Sequence, residues 1–257
     1  MIVRFIEQAD FKFRMSSSMP NWFDFSIITF FNGFARRSPT FDEIVTYVAS
    51  NTLIKAGVLV TLLWWAWFRS KGDKERTRER VLATILAAFV SVFIGRSLAL
   101  TLPFSARPID NPLITFQVPY FQSPQELSGW SSFPSDHAAL VFALATGLLM
   151  VSRFIGVLAL IHAFFVVSLP RIYLGLHYPT DIIAGMFIGV ATAYLVNRST
   201  VERAISRAGL KWEQKYPSFF YPLFFLVTYQ IATLFDDVRS MGRLSFDIIK
   251  VTLKDLH

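Results

Sequence analysis

The feature that most restricts this 257-residue chain is a succession of apolar runs separated by short charged segments. Roughly 17–25 apolar residues cross a bilayer as a helix, and candidate runs lie at 50–68, 81–101, 137–151, 154–172, 181–197 and 218–235. They predict an all-α fold, a polytopic membrane helical bundle of about six transmembrane helices. The third and fifth runs are short, so their ends are expected below the membrane surface or in protein-buried structure. Composition agrees, with 53% hydrophobic residues, 27 Phe and six Trp and a mean hydropathy of +0.45, well outside soluble averages.

Residues 21–35 are apolar but short, carry Asp24 and end at Arg36-Arg37-Ser38-Pro39. They predict a helix lying in the membrane interface rather than another span. The chain therefore divides into an N-terminal interfacial segment (1–40), a transmembrane core (41–200), and a cytoplasmic loop, last transmembrane helix and tail (201–257). Charges within Met1-Ile2-Val3-Arg4-Phe5-Ile6-Glu7 leave no signal-peptide pattern there. The first span is expected to direct insertion.

A net charge of +7 would suggest a nucleic-acid partner in a soluble domain. Here the basic residues concentrate in 69–80 and 198–217, so no nucleic acid is expected and both segments read as cytoplasmic. The loop 102–135, whose one basic residue is Arg107, is expected on the other side as an ordered surface cap. With no cysteine, disulfides, thiolate nucleophiles and Cys-based zinc sites are excluded.

Polar residues gather at the extracytoplasmic ends of these runs. In Ser131-Ser132-Phe133-Pro134-Ser135-Asp136-His137, a serine cap and a proline in the first turn predict a helix start. Its backbone N–H groups and dipole suit an anion. Ser135 adds a hydroxyl donor, and His137 can give a proton to a departing oxygen. Further on, Arg171, His177 and Asp181 form R-x5-H-x3-D. Asp181 can accept the proton on one imidazole nitrogen, leaving the other to attack phosphorus, while Arg171 offers a planar fork to phosphate oxygens. This is a kit for phosphoryl transfer without a metal.

These motifs resemble the type 2 phosphatidic acid phosphatase family, membrane relatives of the vanadium-dependent haloperoxidases, over about residues 95–190. Pro134, Ser135 and His137 match its P-S-x-H motif, and Arg171, His177 and Asp181 match the third. The resemblance implies that His177 is the nucleophile, His137 the acid and then the base, and Asp181 the group that orients His177. Arg107, Arg171, Ser135 and the backbone at Asp136 would hold the phosphate. It implies hydrolysis of a lipid phosphate or diphosphate at the extracytoplasmic face, with no metal or other cofactor. The partners are the bilayer and a lipid such as undecaprenyl diphosphate, phosphatidylglycerol phosphate, phosphatidic acid or a phosphorylated lipid A. A bacterial cytoplasmic membrane, with the site facing the periplasm or exterior, fits that list. Phosphotransfer to a sugar or lipid acceptor, or phosphate-lipid binding and transport without chemistry, are the alternative readings.

Three positions depart from the family pattern. Asp136 stands where Gly is frequent, and its carboxylate is expected to point away from the anion. Pro170 replaces a serine that often precedes the arginine. The first motif, K-x6-R-P, ends at Arg107-Pro108 but has Leu100 at the lysine position. Arg96, one helical turn deeper on the same face, is expected to supply the charge, with Lys55 a weaker substitute. Elsewhere, His162 reads as a hydrogen-bonded helix histidine, His257 as solvated, and Trp64, Trp65 and Trp67 as an interfacial belt. Asp236, Asp237 and Arg239 read as a solvated helix end. The Phe-rich last run (Phe219, Phe220, Phe224, Phe225) and the 102–135 loop are candidates for tail selectivity.

Overall fold

The computed structural model describes residues 19–69, 72–122, 130–198 and 200–235. His257, the acidic pair at 236 and 237, and the extreme N-terminus lie outside them.

Several helices begin where the sequence supplies a cap. Asn21 accepts the Asp24 amide to open α1 (Trp22–Asn32). Ser38, with Pro39 at the first helical position, opens α2 (Pro39–Ser50). Asn51 then leaves the helical conformation and its side chain accepts the Ile54 amide at 3.0 Å. This recapping starts α3 (Leu53–Phe68), bent 64° from α2, whose first turn, Leu53–Gly57, is π-helical. Asp73 caps the long α4 (Lys74–Thr101). Four more helices follow that carry the site or enclose it: α5 (Asp136–Val151), α6 (Arg153–Tyr173), α7 (Pro179–Arg198) and, past α8 (Thr200–Lys215), α9 (Pro217–Ala232). Within α6 a π-helical stretch, Ala163–Ser168, precedes Pro170. Proline donates no backbone bond, and the widened turn, closed by Ser168 Oγ on the Ala163 carbonyl at 2.8 Å, accommodates it.

All six predicted runs are helices, as α3 to α7 and α9. Among the described residues α4, α6 and α7 are each long and apolar enough to cross a membrane, and the bent α2–α3 pair makes a fourth if it is one span. The 16-residue α5 is short for a physical reason. Ala138 through Leu148 are all buried, so the helix is wrapped in protein and need not match the lipid. Close approach does the packing, as expected where lipid competes with side chains for apolar contact. A Cβ at Gly185 would lie 2.4 Å from the Ser135 carbonyl oxygen, and one at Gly189 2.3 Å from that of Ala139. These two glycines let α7 lie directly on α5.

Two expectations are corrected. The basic segment 198–217 is not a loop but contains α8, an amphipathic helix. It buries Ser206, Leu210 and Glu213 and exposes Arg203, Arg207 and Lys211. Arg207 pairs with Glu79 and Arg78 with Glu213, both at 3.3 Å, which brings the two basic segments to one end of the bundle. The tryptophans do not form one belt either. Trp67 is buried, its indole beside Phe220 and Phe224, and Trp64 donates to Thr228 at 3.1 Å. Trp65, under Arg69, keeps an interfacial exposure.

Candidate active site

At the opposite end of the bundle, the turn between α6 and α7 carries the third motif. The amides of Leu176 and His177 both donate to the Arg171 carbonyl, at 2.9 and 3.3 Å, so arginine and histidine share one backbone anchor. Gly175 turns the chain at φ +66°, and a Cβ there would lie 2.5 Å from the Phe116 ring. Both the left-handed backbone and the ring demand glycine. Asp181 Oδ2 then accepts the Tyr178 amide at 2.8 Å, capping α7.

His177 is 5% exposed and Asp181 2%. The His177 Nδ1 lies 2.9 Å from the backbone carbonyl of Ser132 and 3.6 Å from Asp181 Oδ2. A carbonyl can only accept, so Nδ1 carries the proton and Nε2 keeps its lone pair. The sequence suggests Asp181 as the acceptor of that proton; in the fold the Ser132 carbonyl is nearer, and Asp181 divides its charge between the ring and the helix cap. A backbone acceptor has no side-chain signature, which is why the sequence does not reveal it. Burial pushes His177 below its ordinary value; the nearby Asp181 carboxylate acts against this, while the charges of Arg107 and Arg171 add to it. The lowered value favours the neutral form of the ring.

The helix of the second motif starts later than expected. Helix α5 begins at Asp136 with Ser135 as its cap, and Pro134 precedes the cap instead of occupying the first turn. Ser135 Oγ accepts the Ala138 amide at 3.4 Å, which leaves its O–H as the group that can donate outward. Its backbone amide donates to the Asp181 carbonyl at 3.1 Å. The glycine contacts described above thus set the starts of α5 and α7 side by side. His137 is half-buried in the first turn.

Arg107 and Arg171 are both buried, at 8% and 4% exposure. Arg107 Nη1 donates to the Leu176 carbonyl at 2.6 Å, while its Nε is buried without a hydrogen-bond partner among the described residues. Such a donor calls for an acceptor. Arg96 reaches the mouth of the site, stacked 4.1 Å from the centre of the Trp130 ring, with Nε 3.1 Å from Asp136 Oδ2. Lys55 is buried in the opening turn of α3, where its carbonyl meets His162 Nε2 at 3.0 Å. His162 is thus the hydrogen-bonded helix histidine that the sequence suggests.

The site also has supports that motif reading misses. Asp24 of α1 accepts both the amide and the hydroxyl of Thr180, at 2.9 and 2.6 Å. Asp42 of α2 accepts the amides of Arg36 and Tyr120, at 3.0 and 2.8 Å, and the hydroxyl of Tyr173. The two carboxylates grip this turn on either side of His177. The loop after α4 is sewn to the same turn: Ile109 donates to Gly175, Asn111 to the Tyr178 hydroxyl and Gln122 to Leu174. A cavity of about 360 Å³ lies beside it, lined in part by Asp24, Ser105, Asn111, Tyr178 and Asp181.

The PAP2 superfamily model matches residues 79–205, a range that holds all eight predicted site residues. Over that range the chain is similar to the PAP2 superfamily. Among PAP2 relatives, the bacitracin transport permease protein BcrC of Bacillus licheniformis is 26% identical over 167 residues, covering 65% of this chain and 75% of that one. The undecaprenyl-diphosphatase BcrC of Bacillus subtilis is 20% identical over 175 residues, 68% of this chain and 83% of its own. The crystal structure of Aquifex aeolicus LpxE is 26% identical with a TM-score of 0.48, covering 68% of this chain and 94% of that chain.

Proposed function

We propose that this protein is an integral membrane phosphatase that hydrolyses a lipid phosphate or diphosphate through a phosphohistidine at His177. The observation that carries the reading is the held ring: Nδ1 is fixed on the Ser132 carbonyl, so Nε2 is presented as a neutral nucleophile beside two buried arginines. Binding alone has no need of a fixed tautomer.

In the first step Nε2 attacks phosphorus, the bond from phosphorus to the bridging oxygen breaks, and His137 gives that oxygen its proton. The second step reverses the proton's path. His137 takes a proton from water, the water oxygen attacks phosphorus, and the N–P bond breaks to release inorganic phosphate and neutral His177. Arg107, Arg171, Arg96, the Ser135 hydroxyl and the first amides of α5 neutralise and orient the phosphoryl oxygens, the largest part of catalysis in phosphoryl transfer. His137 contributes roughly 10²–10⁴-fold as acid and base. Asp181 acts through His177 by orienting it.

The site faces the periplasm or cell exterior, a reading supported by the two basic segments, which share the other end of the bundle. Undecaprenyl diphosphate leads the substrates, since the B. subtilis relative is an undecaprenyl-diphosphatase. Phosphatidylglycerol phosphate, phosphatidic acid and phosphorylated lipid A present the same reacting group. The test is phosphate release by detergent-purified protein over these four lipids. His177→Ala is expected to lose turnover while still binding lipid, and near-normal turnover by that variant would sink the assignment. Wild-type activity is expected to survive excess chelator.

A further inference from the structure

The carboxylate of Asp136 stands in the first turn of α5, the position at which an incoming phosphate would meet the helix N-terminus. It does not point into solvent. Asp136 Oδ2 holds Arg96 Nε at 3.1 Å, with side-chain exposures of 14% and 27% for the two residues, and its Oδ1 is buried without a hydrogen-bond partner among the described residues. Trp130 lies under the guanidinium at 4.1 Å and gives Arg96 a second contact besides the acid. Both members of the pair act on the buried Arg107. Burial lowers Arg107, with Asp181, Asp110 and Asp136 opposing and Arg96 adding, whereas His177 responds to Asp181, Arg107 and Arg171.

We propose that Asp136 is a built-in competitor for phosphate: it occupies, with its own charge, both the dipole of α5 and the guanidinium of Arg96, and so limits how tightly the site holds an anion. The inference deepens the phosphatase reading and rests on it for the identity of the anion. A negative charge near a helix N-terminus is stabilised there, and a phosphate arriving at the same turn meets like-charge repulsion until Arg96 changes partner. The pair is then a neutral unit at rest and a cation source on binding. Its consequence is weak retention of the released inorganic phosphate, which frees the site for the next lipid.

The experiment measures binding of inorganic phosphate to the full-length protein in detergent by calorimetry, beside phosphate release from a lipid phosphate. Wild type is compared with Asp136→Asn, Asp136→Ser, Arg96→Ala and the double variant Arg96→Ala/Asp136→Asn. Both neutral replacements keep the backbone N–H and release Arg96, so Kd for phosphate is expected to fall about five- to tenfold, the scale of a partly screened charge pair. Substrate KM falls with it while kcat changes less. Arg96→Ala leaves Asp136 facing the anion without its partner and raises Kd, and the double variant returns toward wild type. An unchanged or raised Kd in both Asp136 variants overturns the proposal, as does a double variant no better than Arg96→Ala. Absence of turnover in every protein defeats the phosphatase reading instead, since the binding measurement does not depend on it.

Discussion

His177 sits among neighbours that pull its protonation in opposite directions. Burial, with the charges of Arg107 and Arg171, holds it below the ordinary imidazole value, and Asp181 works against them. The proposed reaction needs neutral Nε2, so acid should inactivate by protonating it; a lowered pKa moves that loss to lower pH. The acid limb of kcat/KM is therefore expected below about pH 6.5, the unperturbed value. Replacing Asp181 with Asn removes the group that raises the pKa, and the limb should move further toward acid. The rate should fall only about 10–100-fold, as for loss of an orienting partner, because the Ser132 carbonyl still holds Nδ1. A collapse to the level of His177→Ala would mean that Asp181, not Ser132, fixes the tautomer. Pre-steady-state kinetics across pH measure both quantities.

At the scale of elements, the alignment of two helix starts depends on two hydrogen atoms. Gly185 and Gly189 face carbonyls of α5 at distances that no Cβ can occupy. Gly185→Ala must push the start of α7 from Ser135, and the expected cost is about 1–3 kcal/mol of overpacking. Activity should fall with it because Asp181 and Ser135 separate; a thermal melt and a turnover assay on the same preparation check the pair of effects. Helices α1 and α2 precede the family match, yet their acids reach the turn that carries His177. Asp42→Ala leaves three donors without their acceptor, those of Arg36, Tyr120 and Tyr173. Each unsatisfied buried group costs roughly 1–3 kcal/mol, so a lower melting temperature and lower kcat are expected, with Asp42→Asn intermediate. The segment 21–35 was legible as a short apolar helix, and exposed Trp22, Phe25 and Phe30 suit an interface. That Asp24 would cap α7 was not legible, since its partner lies 156 positions away.

For the whole molecule, the chain's lack of cysteine makes topology directly measurable. Leu113 and Lys74 are exposed at the two ends of the bundle. In intact cells a membrane-impermeant maleimide should label Leu113→Cys, and Lys74→Cys only after permeabilisation; the reverse pattern would turn the site to the cytoplasm. The expected orientation of the bundle and the places of its helices follow from local information, apolar runs and the basic residues beside them.

By itself, the sequence determined the helical class, the places of six helices, the two basic segments and the motif residues that share one end. These depend on periodicity, hydropathy and short spacings, all carried by neighbouring residues. Tertiary structure alone decided that a Ser132 carbonyl holds His177, that Arg96 answers to Asp136, that Trp67 packs inside and that α1 and α2 brace the turn. Those outcomes depend on distances between chain segments far apart in sequence, and several use backbone groups that every residue possesses. Local pattern cannot specify which of many identical carbonyls arrives beside an imidazole; the packing of α5 against α7 does.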